Sequence, residues 1–369
     1  MAAALARRYK TRPVTEILIL KTGALGDVLR TTSLLPGIAA RHAGARVTWL
    51  TAPGAVDLIR FHPRIARIAT VDARAAEDCE RARAELAAVG WDWVISLDDE
   101  EPLCRLASSL RTARLSGAHL AADGRRVYTP DSAPWFDMGL LSVHGKAAAD
   151  RMKLENRRSH PEILASMLGL PMGKPELVLA PENRAFAERF ASRHRLRERG
   201  AAIGLNTGAG GRWVSKALPI ERTVALAVEL ERRLAARATF VLFGGAEERE
   251  RNDAIARALD GRVRLADAGT DNSLLDFAGL VGLCDLLITS DSLAMHVGLA
   301  LDVRTVAFFA PTSAAEIEMY GLGEKVASTA GDAGSYRRDA DTSTLTVERL
   351  ADAALRQLAL AAPTARGPR

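Results

Sequence analysis

Apolar residues along this chain gather in short runs, and each run stops at a glycine, an aspartate or a knot of polar residues. The run at 16–20 (Glu-Ile-Leu-Ile-Leu) and the run at 202–205 (Ala-Ile-Gly-Leu) both lead into a glycine-rich turn and then into helical periodicity. Runs of this length without polar alternation predict strands covered on both faces, as in a parallel sheet. The rhythm recurs at 46–50, 65–71 and 91–97 in the first half, and at 239–243, 262–267, 286–289 and 304–309 in the second. Helices are expected at 161–170, 220–236 and 348–360. The pattern predicts an α/β protein of two Rossmann-like, doubly wound domains facing a central cleft. A basic arm (1–15) precedes a first domain at 16–180, a second domain spans 181–345, and a helix with a frayed tail fills 346–369. Pro171, Pro175 and Pro181 mark the seam, around 172–188.

Composition narrows the function. With 369 residues, 48% hydrophobic and 26% charged, the chain can bury two ordinary cores. Its formal charge of +5 is unevenly placed. Arg7, Arg8, Lys10 and Arg12 precede the first acid, and Arg366 and Arg369 end the tail, so residues 13–365 carry a net −1. A near-neutral body excludes a nucleic-acid groove, which needs a basic face. The arm suits either a solvated tail or peripheral contact with the inner face of the cytoplasmic membrane. No signal-peptide pattern and no apolar stretch of spanning length are visible, so a cytoplasmic protein is expected. Cys79, Cys104 and Cys284 form no CxxC pair, which argues for reduced thiols over a disulfide framework or a zinc site.

Three turns carry candidate chemistry. The first, Lys21-Thr22-Gly23-Ala24-Leu25-Gly26-Asp27, lets backbone approach a ligand at Gly23 and Gly26 and presents helix amides to it. It lacks the GxGxxG of a dinucleotide site and the GK[ST] of a phosphate-binding loop, which disfavours a nicotinamide oxidoreductase. Asp27 reads either as a helix-start acid complementing the dipole or as a general base aimed into the cleft. The second turn, from Asn206 through Thr207, Gly208 and Arg212 to Lys216, combines glycines with cations, as diphosphate loops do. Lysine is scarce here, 7 against 43 arginines, so Lys216 is not a compositional default. The third, Thr289-Ser290-Asp291-Ser292 followed by His296, reads as a polar helix start below a histidine. The acids at 98–101, next to Pro102, read as dipole-complementing residues of a helix first turn and not as a metal site.

Taken in order, these turns resemble glycosyltransferase family 9, which contains the ADP-heptose:lipopolysaccharide heptosyltransferases. The resemblance runs from about Ile17 to Tyr320. It is carried by KTGALGDVL, the Lys-x-x-Pro ending at Pro219, the Gly-Gly-Ala-Glu ending at Glu247, TSDSLAMH, and VAFFAPTSAAE. It implies a GT-B fold with the acceptor on the first domain and the nucleotide-sugar on the second, and an inverting reaction without a catalytic metal or other cofactor. It places the catalytic base on Asp27. Donor contacts fall on Thr207, Gly208, Lys216, Glu247, Asp291, Ser292 and His296, with Lys21, Thr22, Gly23 and Gly26 in the phosphate or acceptor loop. The implied partners are a nucleotide-sugar donor and a glycan or glycolipid acceptor, with no obligatory protein partner. Leu293 stands where the family motif often has glycine, and Asn272 stands where a base contact is expected. The stretch Trp135-Phe136-Asp137-Met138 is expected to shape acceptor contacts. Another nucleotide-sugar, a different acceptor, or a sugar-nucleotide-binding module without catalysis are the alternatives.

Overall fold

A computed structural model describes residues 14–196, 198–210 and 213–360. The basic arm up to residue 13, Arg212 and the tail from 361 lie outside the described residues.

The first sheet holds β1 (Glu16–Leu20), β2 (Arg46–Thr51), β3 (Arg67–Thr70), β4 (Trp91–Ser96), β5 (Thr112–Leu120) and β6 (Arg126–Tyr128), in the order β3-β2-β1-β4-β5-β6. The second holds β7 (Ala201–Asn206), β8 (Ala238–Leu242), β9 (Leu265–Asp267), β10 (Leu286–Ser290), β11 (Arg304–Phe309) and β12 (Gly323–Ala327), in the order β12-β11-β10-β7-β8-β9. All pairings are parallel except β5 with β6. Ile17 to Leu20 are fully buried because helices cover both faces of the sheet, which explains their unbroken apolar run. The helix Val347–Leu360 inserts Leu350, Ala351 and Ala354 into the core of the second sheet.

In each sheet the strand order reverses beside the first strand in sequence, between β1 and β4 and between β7 and β10. Crevices open at such points because successive connections leave toward opposite faces. The two domains meet across these crevices. The helix Leu25–Thr31 of the first packs against the helix Leu293–Ala300 of the second, and one continuous apolar cluster joins Ile19 and Trp49 to Phe243, Leu275 and Val297. Lys174 pairs with Asp302 across the same boundary.

Candidate active site

At the first crevice, Lys21 follows β1 and Asp98 follows β4. Asp98 is buried; it pairs with the Lys21 ammonium and accepts from the Thr22 amide and from Thr22 Oγ1 at 2.8 Å. This corrects the expectation for the acidic run. The helix starts only at Glu101, so Glu101 is its first-turn acid, whereas Asp98 reaches back to pin the Lys21 turn. The sequence hides this pairing because its partners lie 77 residues apart.

Beyond that turn, Asp27 stands in the first turn of the helix Leu25–Thr31, its side chain 36% exposed toward the cleft. Arg30, one turn on, holds Asp27 Oδ1 at 2.9 Å. Burial works to raise the Asp27 pKa. The Arg30 guanidinium, then Lys21, then the His160 and His296 rings outweigh it and hold the carboxyl well below the usual range. Arg30 lies 5.8 Å from the Trp135 ring, and its Nε is buried without a hydrogen-bond partner among the described residues.

His160 completes this floor. A capping box fixes the start of its helix, with Ser159 and Glu162 bonded reciprocally. The ring is thereby held edge-on against Trp135, centroids 4.8 Å apart, with Nδ1 buried and, among the described residues, unpaired. Burial, then Arg30, depresses its pKa well below the ordinary value, so the ring is neutral near pH 7. Neither Arg30 nor His160 was singled out from the sequence. Ser-His-Pro-Glu was the available signal, since Ser and Glu at that spacing with proline between them mark a helix start.

Across the boundary, Gly26 lies directly under His296: a Cβ placed there would be 2.7 Å from His296 Cδ2. His296 is buried, which together with Arg30 pushes its pKa down to about 4 despite the opposing pull of Asp291 and Asp27. Asp291 is bound by Lys216, whose Nζ reaches Asp291 Oδ2 at 2.9 Å and the Asp291 carbonyl at 2.8 Å. Burial would raise the Asp291 pKa, but Lys216 and then His296 overcome it, and the carboxyl stays ionised.

A cavity of about 380 Å³ opens at the second crevice. One wall is the loop Asn206, Gly208, Gly210 after β7; the other holds Ser292 and Leu293 at the start of the helix Leu293–Ala300. Asn272 and Phe277 close the far end. Gly208 and Ser292, two of the residues singled out from the sequence, thus line the cavity. The Thr207 hydroxyl turns away, taken by Arg251 at 2.9 Å and Thr223 at 3.1 Å, so Thr207 holds the loop's shape. Glu247 is exposed beside Gly210, whose added Cβ would sit 3.2 Å from Oε2. Its neighbour Glu248 lines the cavity and clamps two glycine turns, accepting from the Gly210 amide at 2.6 Å and the Gly245 amide at 2.8 Å. The resemblance singled out Glu247 alone; the part played by Glu248 was not legible, because two adjacent glutamates differ only in which amides they can reach.

Comparison with known proteins agrees with this architecture. The model of glycosyltransferase family 9 (heptosyltransferase) matches residues 118–343. A curated relative, lipopolysaccharide heptosyltransferase 1 of Pseudomonas aeruginosa, is 26% identical over 322 residues, covering 83% of this chain and 81% of its own. Among solved structures, a family 9 glycosyltransferase from Veillonella parvula superposes with a TM-score of 0.74 at 20% identity, covering 94% of this chain and 98% of its own. The ADP-heptose lipopolysaccharide heptosyltransferase II of E. coli does so at 0.66 and 18%, covering 94% and 99%. A third, the E. coli heptosyltransferase WaaC with ADP-2-deoxy-2-fluoro heptose, gives 0.59 and 18% over the same shares. The fold is therefore GT-B.

Proposed function

The chain belongs to glycosyltransferase family 9, and from that premise we propose that it moves a heptose-like sugar from an ADP-sugar to a lipopolysaccharide core or related envelope glycan. The proposal extends to inversion at the anomeric carbon, to independence from a catalytic metal or other cofactor, and to work in the cytoplasm at the inner membrane face. The names of the curated relative and of the two E. coli structures support heptose and ADP.

One observation carries the reading. The Asp27 carboxylate belongs to the first domain, yet its helix packs on the very helix whose N-terminal end walls the cavity of the second. An acceptor hydroxyl beside Asp27 and a donor in that cavity would meet at the boundary. Asp27 takes the hydroxyl proton as the oxygen attacks the anomeric carbon on the face away from the diphosphate. The leaving diphosphate gains charge, which Lys216, the amides of Gly208 and Ala209 and the N-terminus of the helix Leu293–Ala300 stabilise. Domain contact at Gly26 and His296 keeps water from the reacting carbon.

The test is Asp27→Asn with ADP-heptose and a heptose-deficient lipopolysaccharide. Transfer should fall by about 10²–10⁴-fold, with ADP affinity within a few-fold of wild type. Surviving transfer would reduce Asp27 to a helix-start acid. Leu293 and Asn272 in the cavity wall favour one second reading, a donor with another sugar or base, which the same assay detects with UDP-, GDP- and CDP-sugars.

A further inference from the structure

The chain between Trp135 and His160 leaves the catalytic floor and comes back to it. Its two ends are in contact, Trp135 against His160 at 4.8 Å, and Trp135 also carries Arg30, the partner of Asp27. Between them run residues 138–158, an irregular stretch followed by the helix Lys146–Glu155. Ten large apolar side chains are exposed among the described residues, and four of them fall between 140 and 154: Leu140 (87%), Val143 (73%), Leu154 (51%) and Met152 (36%). Scattered single exposed apolar residues are ordinary, but a cluster marks a contact surface.

Charge points to what it contacts. Residues 138–158 carry Lys146, Arg151, Lys153, Arg157 and Arg158 against Asp150 and Glu155, a net +3, while 13–365 as a whole nets −1 and the remainder therefore −4. Lys146 is engaged by Asp150 at 2.6 Å, and Lys153 turns toward the second domain, 3.8 Å from the Tyr336 ring. Arg151, Arg157 and Arg158 are exposed. Arg157 donates to the carbonyls of Leu154 and Asn156, and Arg158 to that of Glu162, so among the described residues neither is paired with a carboxylate. Beneath the segment a groove of about 670 Å³ runs between Leu140, Lys153 and Leu154 on one side and the loop at 334–336 on the other.

We propose that residues 138–158 seat the protein on an anionic phospholipid bilayer, with Leu140 and Val143 entering the interface and Arg151, Arg157 and Arg158 meeting the headgroups. Neither signal holds a protein to a bilayer alone; a few apolar side chains joined to a basic patch do. Both ends of the excursion touch the floor around Asp27, so seating it brings the cleft to a lipid-anchored acceptor. That last step rests on the function proposed above. The seat differs from the basic N-terminal arm, to which the sequence alone assigns any membrane contact, and no described helix is long and apolar enough to cross the bilayer.

The experiment is flotation of the full chain with vesicles of phosphatidylethanolamine and phosphatidylglycerol, and with vesicles of phosphatidylcholine alone. Three proteins are compared: wild type, the pair Leu140→Ser and Val143→Ser, and a variant with Arg7, Arg8, Lys10 and Arg12 changed to Ser. Transfer to a deacylated, water-soluble acceptor is measured alongside. Wild type should float with the anionic vesicles only, the Leu140/Val143 pair should lose partitioning about tenfold or more, and the arm variant should still float. Soluble transfer by the pair should match wild type, which separates lost seating from a damaged fold. Equal flotation of the pair and wild type overturns the proposal. So does loss of flotation in the arm variant alone, or a wild type that ignores vesicles and sediments as a dimer which the pair dissolves. Flotation as expected without transfer by any of the three leaves the seat standing and sinks the function.

Discussion

Asp27 can keep a charge beside the domain boundary because cations surround it, and Arg30 contributes the largest favourable share. The arrangement has a kinetic consequence. A carboxylate held well below its usual pKa stays ionised across the working range, so wild-type kcat/KM should show no acid limb from Asp27 above about pH 4. Arg30→Met removes the cation while leaving an aliphatic chain near Trp135. The Asp27 pKa then rises, and an acid limb should move up into the measurable range, whereas Arg30→Lys should keep it down. Superimposable profiles for Arg30→Met and wild type would show that Arg30 does not govern the base. At this scale the sequence was informative wherever a motif is local: Asp27, Lys216, Asp291 and His296 all converge on the boundary. It took Asp98 for a helix-start acid and was silent on Arg30 and His160; the importance of all three comes from partners brought near only by the fold.

Two helices from different domains pack together, and at their closest approach one carries no side chain. Gly26 gives the helix Leu25–Thr31 room to lie on the His296 ring, and any Cβ there must push that buried ring or separate the helices. Gly26→Ala should therefore cost about 1–3 kcal/mol of stability, as overpacked cores do, and depress transfer more than nucleotide affinity. Gly54→Ala, where an added Cβ meets nothing within 4 Å, should leave both unchanged. Thermal unfolding and initial rates decide it; a Gly26→Ala enzyme with wild-type turnover would mean the boundary is looser than drawn. Strands with unbroken apolar runs, such as β1 and β10, were legible because both faces are covered. The strands β5 and β12 were not. Their sequences, TARLSGAHL and GEKVA, mix polar and small residues because each is only partly buried near or at a sheet edge. Boundaries also moved by a few residues, as where 262–267 became the three-residue β9 after a turn.

On the proposed function, the whole molecule is two half-sites that act only when brought together. The first domain brings the Asp27 carboxylate held by Arg30, and the second brings a cavity between glycine turns and a helix N-terminus. Their alignment depends on a core that runs across the boundary. This division was readable from the repeated strand-turn-helix rhythm. The doubly wound form, with its reversal of strand order, was expected from the same rhythm; which strands flank each crevice was not, because strand neighbours depend on long-range packing. The central claim, that the cavity beside Gly208 and Ser292 takes a nucleoside diphosphate sugar, is tested most directly by thermal unfolding of the full chain with ADP, GDP, UDP and CDP at equal excess. At ~100 times its dissociation constant a ligand stabilises the folded state by about 2.7 kcal/mol, a shift of a few degrees. A shift with ADP and a clearly smaller one with the others is the predicted result; no shift with any nucleoside diphosphate would contradict the account.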